Sequence, residues 1–116
     1  MPLIKVHSSV DCSMETRQAT TLALSKICAA VIGKPETYVQ ACFCAAPDVF
    51  SHGGKLADAA FAEVMSIGGL SPQVNKKLSA EICACLKEKL GLDGSKVYIR
   101  FSDAAGSDWG WNGSTF

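Results

Sequence analysis

The chain has 116 residues, which is enough for one compact domain with a substantial core and too few for two, so we expect residues 1–116 to form a single domain. Eleven basic and eleven acidic residues cancel, so the charge predicts neither nucleic-acid binding nor attraction to an acidic membrane surface. No apolar run is long enough to span a bilayer, and Lys5 and His7 interrupt the apolar segment that a signal peptide would need, so we expect a cytoplasmic protein.

The chain opens with Met1-Pro2 and a strand-patterned segment over residues 2–7. Proline fits the start of a strand because its missing N–H costs no ladder hydrogen bond. If Met1 is removed, Pro2 carries a free secondary amine. The reference pKa of an α-amino group is about 8, and burial beside cations lowers it. Pro2 is therefore a candidate general base; the alternative is that proline only begins the strand or favours methionine removal.

The first helix is predicted to begin at Asp11 or Ser13, either of which can cap it, and to run to about Ile32. Apolar residues recur within it at steps of three and four positions, the spacing of one buried helix face. Gly33 ends the helix, and Pro35 prevents its continuation.

The rest of the chain repeats this pattern. Residues 38–45 are predicted to form a strand and residues 47–56 a loop. A strand over 59–67 is followed by a helix from Ser71-Pro72 to Leu90, because serine suits the N-cap and proline the first helical position. Gly91 ends that helix, and residues 97–101 read as the last strand.

The predicted fold class is therefore α+β, a two-layer α/β arrangement built from a tandem βαβ repeat. It has a four-stranded mixed sheet with two helices on one face. The strands at 38–45 and 59–67 read as apolar on both faces, which predicts that self-association buries the face without helices. The aromatic tail, residues 107–116, is predicted to be a short strand packed on a neighbouring subunit.

The six cysteines do not indicate a disulfide framework. Most lie in helix- or strand-patterned segments, where we expect small buried hydrophobic side chains. The two C-x-C pairs, Cys42/Cys44 and Cys83/Cys85, lack zinc-ligand spacing, and only two histidines are available. We predict neither a metal nor a cofactor.

Short motifs are distributed along the whole chain: Met1-Pro2, Gly33-Lys34-Pro35, Gly53-Gly54, Ser66-Ile67-Gly68-Gly69, Val97-Tyr98-Ile99 and Gly110-Trp111-Asn112-Gly113-Ser114-Thr115-Phe116. In this order and spacing they resemble the macrophage migration inhibitory factor family, within the tautomerase superfamily. The resemblance implies a homotrimer of βαβ-repeat subunits with three active sites at the subunit interfaces.

The resemblance also implies keto–enol tautomerase activity on small α-keto acids, with phenylpyruvate and 4-hydroxyphenylpyruvate as substrates. Pro2 would be the catalytic base, and Lys34 would hold the substrate carboxylate and lower the pKa of the proline. The backbone N–H of Ile67 would donate to the substrate, with Ser66 beside it. Tyr98 would reach the pocket from the neighbouring subunit.

Two departures from the family pattern bear on function. Residues 59–62 read Ala-Ala-Phe-Ala where the mammalian cytokine has C-x-x-C, so thiol–disulfide exchange by that route is absent. Arg100 stands where that cytokine has asparagine. Because strand side chains alternate, Arg100 shares a face with Tyr98 and is predicted to bind substrate as a second cation near the pocket. The alternative is an ion pair between Arg100 and Asp103 or Glu63.

Alternatives also remain for the site and for the function. Lys34 after Gly33 suits a helix C-cap whose dipole the lysine complements, and a strand tyrosine such as Tyr98 is often a core residue. The second functional class is a cytokine-like or other protein-interaction role, with a receptor as partner and a weak or vestigial tautomerase pocket. The family's signalling members are secreted without a signal peptide, so secretion is compatible with this sequence.

Overall fold

A computed structural model describes residues 1–116 and shows two helices packed on one face of a four-stranded sheet. The sheet has the strand order β2-β1-β5-β6, in which β1 and β5 are antiparallel and each of them has a parallel edge strand. This confirms the predicted fold class. The elements are β1 (Leu3–Ser8), α1 (Met14–Ile32), β2 (Gln40–Cys44), β3 (Ser51–His52), β4 (Lys55–Leu56), β5 (Ala60–Ser66), α2 (Pro72–Leu90), β6 (Val97–Asp103), β7 (Gly110–Trp111) and β8 (Ser114–Thr115).

Both helices are bounded by the residues that the sequence predicts. Ser13, rather than Asp11, caps α1 by accepting a hydrogen bond from the Thr16 N–H, and Ser71 caps α2 in the same way. Gly33 and Gly91 end the helices in the left-handed conformation, where glycine avoids the strain of a Cβ. Neither helix combines the length and the apolar character needed to cross a membrane.

The core lies between the helices and the inner face of the sheet. Its fully buried members include Ile4 and Val6 on β1 and Leu24 and Cys28 on α1, and burial raises the pKa of the Cys28 thiol to about 12. The expectation that the cysteines are buried holds for Cys28 and Cys85 but is wrong for Cys42. That residue is exposed because it lies on an edge strand and faces away from the helices.

The outer face of the sheet, without helices, is less apolar than the sequence indicates. A row of directly paired residues crosses it in the order Cys42, Lys5, Glu63, Arg100. The segment after β2 lies over one end of this face, where His7 Nδ1 is 3.1 Å from Asp48 Oδ2. The prediction that the strands at 38–45 and 59–67 are apolar on both faces is therefore wrong for the outer face of the second, where Glu63 lies.

One small hairpin follows each of the two βαβ units. The predicted loop at 47–56 contains β3 and β4, joined by Gly53-Gly54, and both glycines have positive φ angles. The tail forms a second hairpin from β7 and β8, joined at Asn112-Gly113 with positive φ angles. The tail strands pair with each other, so the tail is a hairpin and the prediction of one short strand is wrong; its packing on a neighbouring subunit stays a prediction.

Candidate active site

Pro2 lies at the start of β1 and is fully buried. Its carbonyl accepts a hydrogen bond from the Gln40 N–H at 3.1 Å, which fixes the entry of the chain into the sheet. Pro2 also forms part of the wall of a cavity of about 420 Å³, which we call the aromatic cavity. The residues around this cavity are Met1, Pro2, Leu3, Thr37, Tyr38, Val39, Gln40, Trp109, Gly110 and Trp111.

Lys34 is directed to the same end of the sheet by the end of α1. Left-handed Gly33 turns the backbone, and the N–H groups of Gly33 and Lys34 both donate to the Ala29 carbonyl, at 3.0 and 3.1 Å. The helix C-cap expected as the alternative is therefore present, and the lysine side chain is nevertheless free to serve a site. It lines a second cavity of about 340 Å³, which we call the lysine cavity, together with Met1, Tyr38, Ile67, Trp111 and Phe116.

At the end of the sheet where Pro2 and Lys34 lie, the electrostatics favour an uncharged amine and a bound anion. The only ion pairs in the chain join His7 to Asp48 and Arg17 to Asp11, so no carboxylate neutralises Lys34. Burial, and secondarily the charge of Lys34, lower the pKa of the Met1 amino group from its ordinary value. While Met1 is attached, the Pro2 nitrogen is part of a peptide bond and cannot take up a proton.

The segment after β5 brings Ile67 to the lysine cavity. Ser66 is fully buried and donates its hydroxyl to the Gly68 carbonyl at 2.7 Å. The Gly68 N–H donates to Asp103 Oδ1 at 2.8 Å, and the Ala104 N–H donates to the Ser66 carbonyl at 3.0 Å. The Ser66 hydroxyl is therefore engaged within the turn and lines neither cavity, whereas Ile67 does line the lysine cavity.

Gly69 is a site residue that the motif alone does not reveal. Its φ angle is +81°, and a Cβ at this position would lie 2.7 Å from Ile32 Cγ2 and 3.4 Å from Lys34 Cε. The absence of a side chain thus lets this turn pack against the stem of the lysine. The sequence indicates only a turn here, because the contact joins segments far apart in the chain.

Tyr98 lies at the opposite end of the sheet within one chain. It pairs with Phe61, whereas Asp103 pairs with Ser66 beside the lysine cavity. At about 3.3 Å per residue, the intervening strand places Tyr98 about 17 Å from that end. Tyr98 is 69% exposed, with its ring 5.6 Å from that of His52. It is not a core residue, so the structural alternative for Tyr98 is wrong.

Arg100 is also exposed and lies on the same outer face as Tyr98. It pairs across the sheet with Glu63, but its guanidinium is not within ion-pair distance of Glu63 or Asp103. The alternative interpretation as an intrachain ion pair is therefore wrong. Neither Tyr98 nor Arg100 lines a cavity of its own chain, and their contribution from a neighbouring subunit stays a prediction.

The aromatic tail supplies cavity walls that the sequence analysis misses. Trp111 lines both cavities and stacks on Phe116, with ring centroids 5.5 Å apart. Tyr38, predicted to begin a strand, lies in a short 3₁₀ turn and also lines both cavities. The richness of residues 107–116 in aromatic side chains was the available signal.

No group of three or more histidine, cysteine or acidic side chains is arranged to hold a metal ion.

Comparison with known proteins agrees with this arrangement. The family model described as macrophage migration inhibitory factor matches residues 1–116. The chain belongs to the macrophage migration inhibitory factor family. A homologue from Trichuris trichiura is 41% identical over 92 residues, covering 79% of this chain and 80% of the relative. One from Trichinella spiralis is 33% identical over 116 residues and covers both chains completely.

Solved structures from the same family, within the tautomerase superfamily, share the fold over nearly the whole chain. The macrophage migration inhibitory factor-like protein of Entamoeba histolytica has a TM-score of 0.94 at 32% identity, covering 99% of this chain and 98% of that one. The protein of Toxoplasma gondii has a TM-score of 0.94 at 26% identity, covering 98% and 99%. Family membership thus extends over the four-stranded sheet, both helices and both hairpins.

Proposed function

We propose that this chain, after removal of Met1, is a keto–enol tautomerase of phenylpyruvate and related α-keto acids. The observation that carries the proposal is the position of Pro2, which is buried at a cavity wall directly after Met1, whose amino-group pKa is lowered by burial and by Lys34. Surroundings that lower the pKa of an amine increase the fraction that is neutral at a given pH, and a neutral amine can accept a proton from carbon.

Each step of the proposed reaction uses a group at this end of the sheet. Lys34 binds the substrate carboxylate, and the Ile67 backbone N–H donates to the substrate, while Ser66 positions Ile67 by holding the turn. The Pro2 nitrogen takes the proton from the carbon next to the ketone. The electron pair of that C–H bond forms the C=C bond, the carbonyl electrons move to oxygen, and the oxygen takes up a proton from water to give the enol. The hydroxide that remains takes the proton from Pro2, which restores water and the neutral amine.

The proposed enzyme is a homotrimer in which each subunit is one domain of this family. Two observations support self-association: no helix covers the outer face of the sheet, and Tyr98 and Arg100 lie at the end of the sheet remote from Pro2. A neighbouring subunit would bring Tyr98 to the carbonyl end of the substrate and Arg100 to the substrate carboxylate, alongside Lys34. Light scattering should give the mass of three chains, and a stable monomer at micromolar concentration would contradict the assembly.

The test of the activity compares processed and unprocessed protein. Intact-mass measurement determines whether Met1 is present, and enol formation from phenylpyruvate is followed by ultraviolet absorbance. We expect activity only in the fraction without Met1, since only that fraction has a free proline amine. A processed trimer with no activity would contradict the proposal and favour the protein-interaction role that the names of the relatives suggest.

A further inference from the structure

The C-x-C spacing occurs twice in this chain, and the two pairs have different geometries. Side chains two positions apart in a strand point to the same face of the sheet, whereas in a helix of about 3.6 residues per turn they point to nearly opposite sides. Cys42 and Cys44 lie in β2, and their Sγ atoms are 3.6 Å apart. Cys83 and Cys85 lie in α2, where only Cys85 is buried. The strand therefore creates a close pair of thiols, and the helix separates the other pair.

The Cys42/Cys44 pair lies at an edge of the sheet. β2 has a hydrogen-bonded neighbour on one side only, and Cys44 is its last residue. Both residues are free cysteines; Cys42 is exposed and Cys44 is half-buried. A small reagent that approaches the outer face of this chain therefore reaches Cys42 before Cys44.

Charged groups of β1 and of the segment after β2 surround the pair. Lys5 is the direct cross-strand partner of Cys42, and His7 is that of Cys44. Burial raises the pKa of the Cys44 thiol, and the hydrogen bond and charge of Cys42 raise it further, while the cation of Lys5 acts in the opposite direction. The contribution of Cys42 disappears once its sulfur is bonded to another sulfur. Cys44 then ionises more readily.

A disulfide between these two thiols is within reach but strained. Two residues along a strand are separated by about 6.6–6.8 Å between their Cα atoms, the upper end of the range of about 4.4–6.8 Å that a disulfide spans. Because Cys44 ends an edge strand, a small bend of the chain there closes the bridge. Strained and exposed disulfides are reduced more easily than buried structural ones, so such a bridge is reversible.

We propose that Cys42 and Cys44 form a reversible dithiol–disulfide site whose co-reactant is a small-molecule disulfide of the glutathione class. The Cys42 thiolate attacks one sulfur of glutathione disulfide, the S–S bond of that molecule breaks, and one glutathione leaves as a thiolate. Cys44 gives its proton to solvent and attacks Cys42 Sγ, which releases the second glutathione.

The electrons and protons of this exchange balance. The protein loses two electrons and two protons as the bridge forms, and glutathione disulfide gains both to give two glutathione thiols. The site is remote in its chemistry from Pro2 and Lys34, and the proposal does not depend on the proposed tautomerase activity.

The equilibrium test places the native protein in glutathione buffers of different composition until the thiol count is constant, so slow access to Cys42 within an assembly does not affect the result. Samples are quenched with acid, blocked with N-ethylmaleimide and weighed. Where glutathione disulfide dominates, the chain should have two fewer blocked thiols, and the peptide with Cys42 and Cys44 should be lighter by two hydrogens. An unchanged thiol count in this peptide, or a bridge from either residue to another cysteine or another chain, would overturn the proposal.

Serine variants separate the roles of the two thiols. Cys44→Ser should gain the mass of one glutathione at Cys42, because no second thiol remains to release it, and Cys42→Ser should lose the exchange. Cys83→Ser, in the helical pair, is the matched control and should react as the wild type does. A glutathione adduct that persists on Cys42 of the wild type, at the level found in Cys44→Ser, would overturn the pairing.

Discussion

The two halves of this chain build the same structure from different residues. Ser13 and Gly33 bound the first helix, Ser71 and Gly91 bound the second, and each helix has 19 residues. The same separation relates the two serines and the two glycines. In each half, a hairpin with a two-residue turn follows the last strand of the four-stranded sheet. The repetition was visible in the sequence, and it extends further than the βαβ unit.

The candidate site arises where the first half departs from the second. Pro2 corresponds in the repeat to Ala60, and Lys34, directly after one cap glycine, corresponds to Leu92 after the other. Ala60 and Leu92 belong to the core, and Leu92 is only 5% exposed. Pro2 and Lys34 line cavities instead. The repeat thus supplies the scaffold twice, and different residues at two equivalent positions give one end of it the proposed base and a cation.

The outer face shows a second departure. Lys5 and Glu63 are equivalent positions that pair directly across the two central strands with opposite charges. Cys42 and Arg100 occupy the two ends of the same row. A neutral residue at one edge and a cation at the other give the two edges of the sheet different surfaces for a neighbouring subunit.

The largest expected effect comes from the base. Pro2→Gly should retain the trimer and lower kcat/KM by at least about a hundredfold, the lower end of the contribution of general acid–base catalysis. Ala60→Val, at the equivalent position of the second half, should affect stability rather than kcat/KM. Activity close to wild type in Pro2→Gly would assign the proton transfer to another group.

The pH dependence tests the same residue. The reactive form of the amine is neutral, so kcat/KM should rise with pH. Burial and Lys34 lower the pKa of the Met1 amine, and the same surroundings should act on the Pro2 amine after processing, so the midpoint should lie below the α-amino reference of about 8. Lys34→Leu should move the midpoint upward only in part, since burial is the larger cause. A midpoint at or above the reference value would contradict the environment that we describe.

Exchanging Lys34 for leucine and Leu92 for lysine, the residues after the two cap glycines, distinguishes a residue of the candidate site from a residue of the core. Lys34→Leu should leave the fold intact and raise KM for phenylpyruvate about 10- to 100-fold, the loss expected for a hydrogen bond to a charged group. Leu92→Lys places an ammonium in the core and should lower the free energy of unfolding by at least about 3 kcal/mol in urea denaturation. Similar effects of both exchanges on stability would mean that Lys34 is structural.

Arg100 is tested by removing the charge of the substrate. Arg100→Ala should raise KM for an α-keto acid by an amount worth about 1–3 kcal/mol and barely change KM for the carboxyl-methylated analogue. Cys42→Ala, at the equivalent position, is the matched control and should change neither. Equal losses for acid and ester would assign Arg100 to assembly or folding.

The smallest effect is expected at the glycine beside the lysine. Gly69→Ala and Gly91→Ala both place a Cβ at a positive φ angle, which should cost about 1–2 kcal/mol of stability at Gly91 and more at Gly69, where the Cβ would also lie 2.7 Å from Ile32 Cγ2. Only Gly69 contacts the Lys34 stem, so only Gly69→Ala should also raise KM, by about threefold or more. An unchanged KM in Gly69→Ala would show that the lysine adjusts without loss.

Local signals explain what the sequence could predict. Serine N-caps and glycine C-caps depend only on residues within one helical turn, so the sequence places both helices correctly. The candidates Pro2 and Lys34 follow from short motifs. Strands of two residues are too short to show alternation, and the hairpins were therefore missed. Glu63 was overlooked within a strand judged apolar. The contact of Gly69 with Lys34 and the place of Trp109 beside Pro2 depend on packing between distant segments, which periodicity does not encode.

The buried thiol of Cys28 can be used to measure local opening of the native state. Alkylating reagents attack thiolates, and this thiol is both inaccessible and, with its pKa raised to about 12, protonated at neutral pH. Reaction at Cys28 thus requires α1 to separate from the sheet, and its rate reports the free energy of that local opening. Cys42 is exposed on the outer face of the sheet, and if the proposed trimer covers that face its alkylation rate would report subunit separation instead. Alkylation rates at the two thiols would thus distinguish dissociation of the proposed trimer from opening of the core.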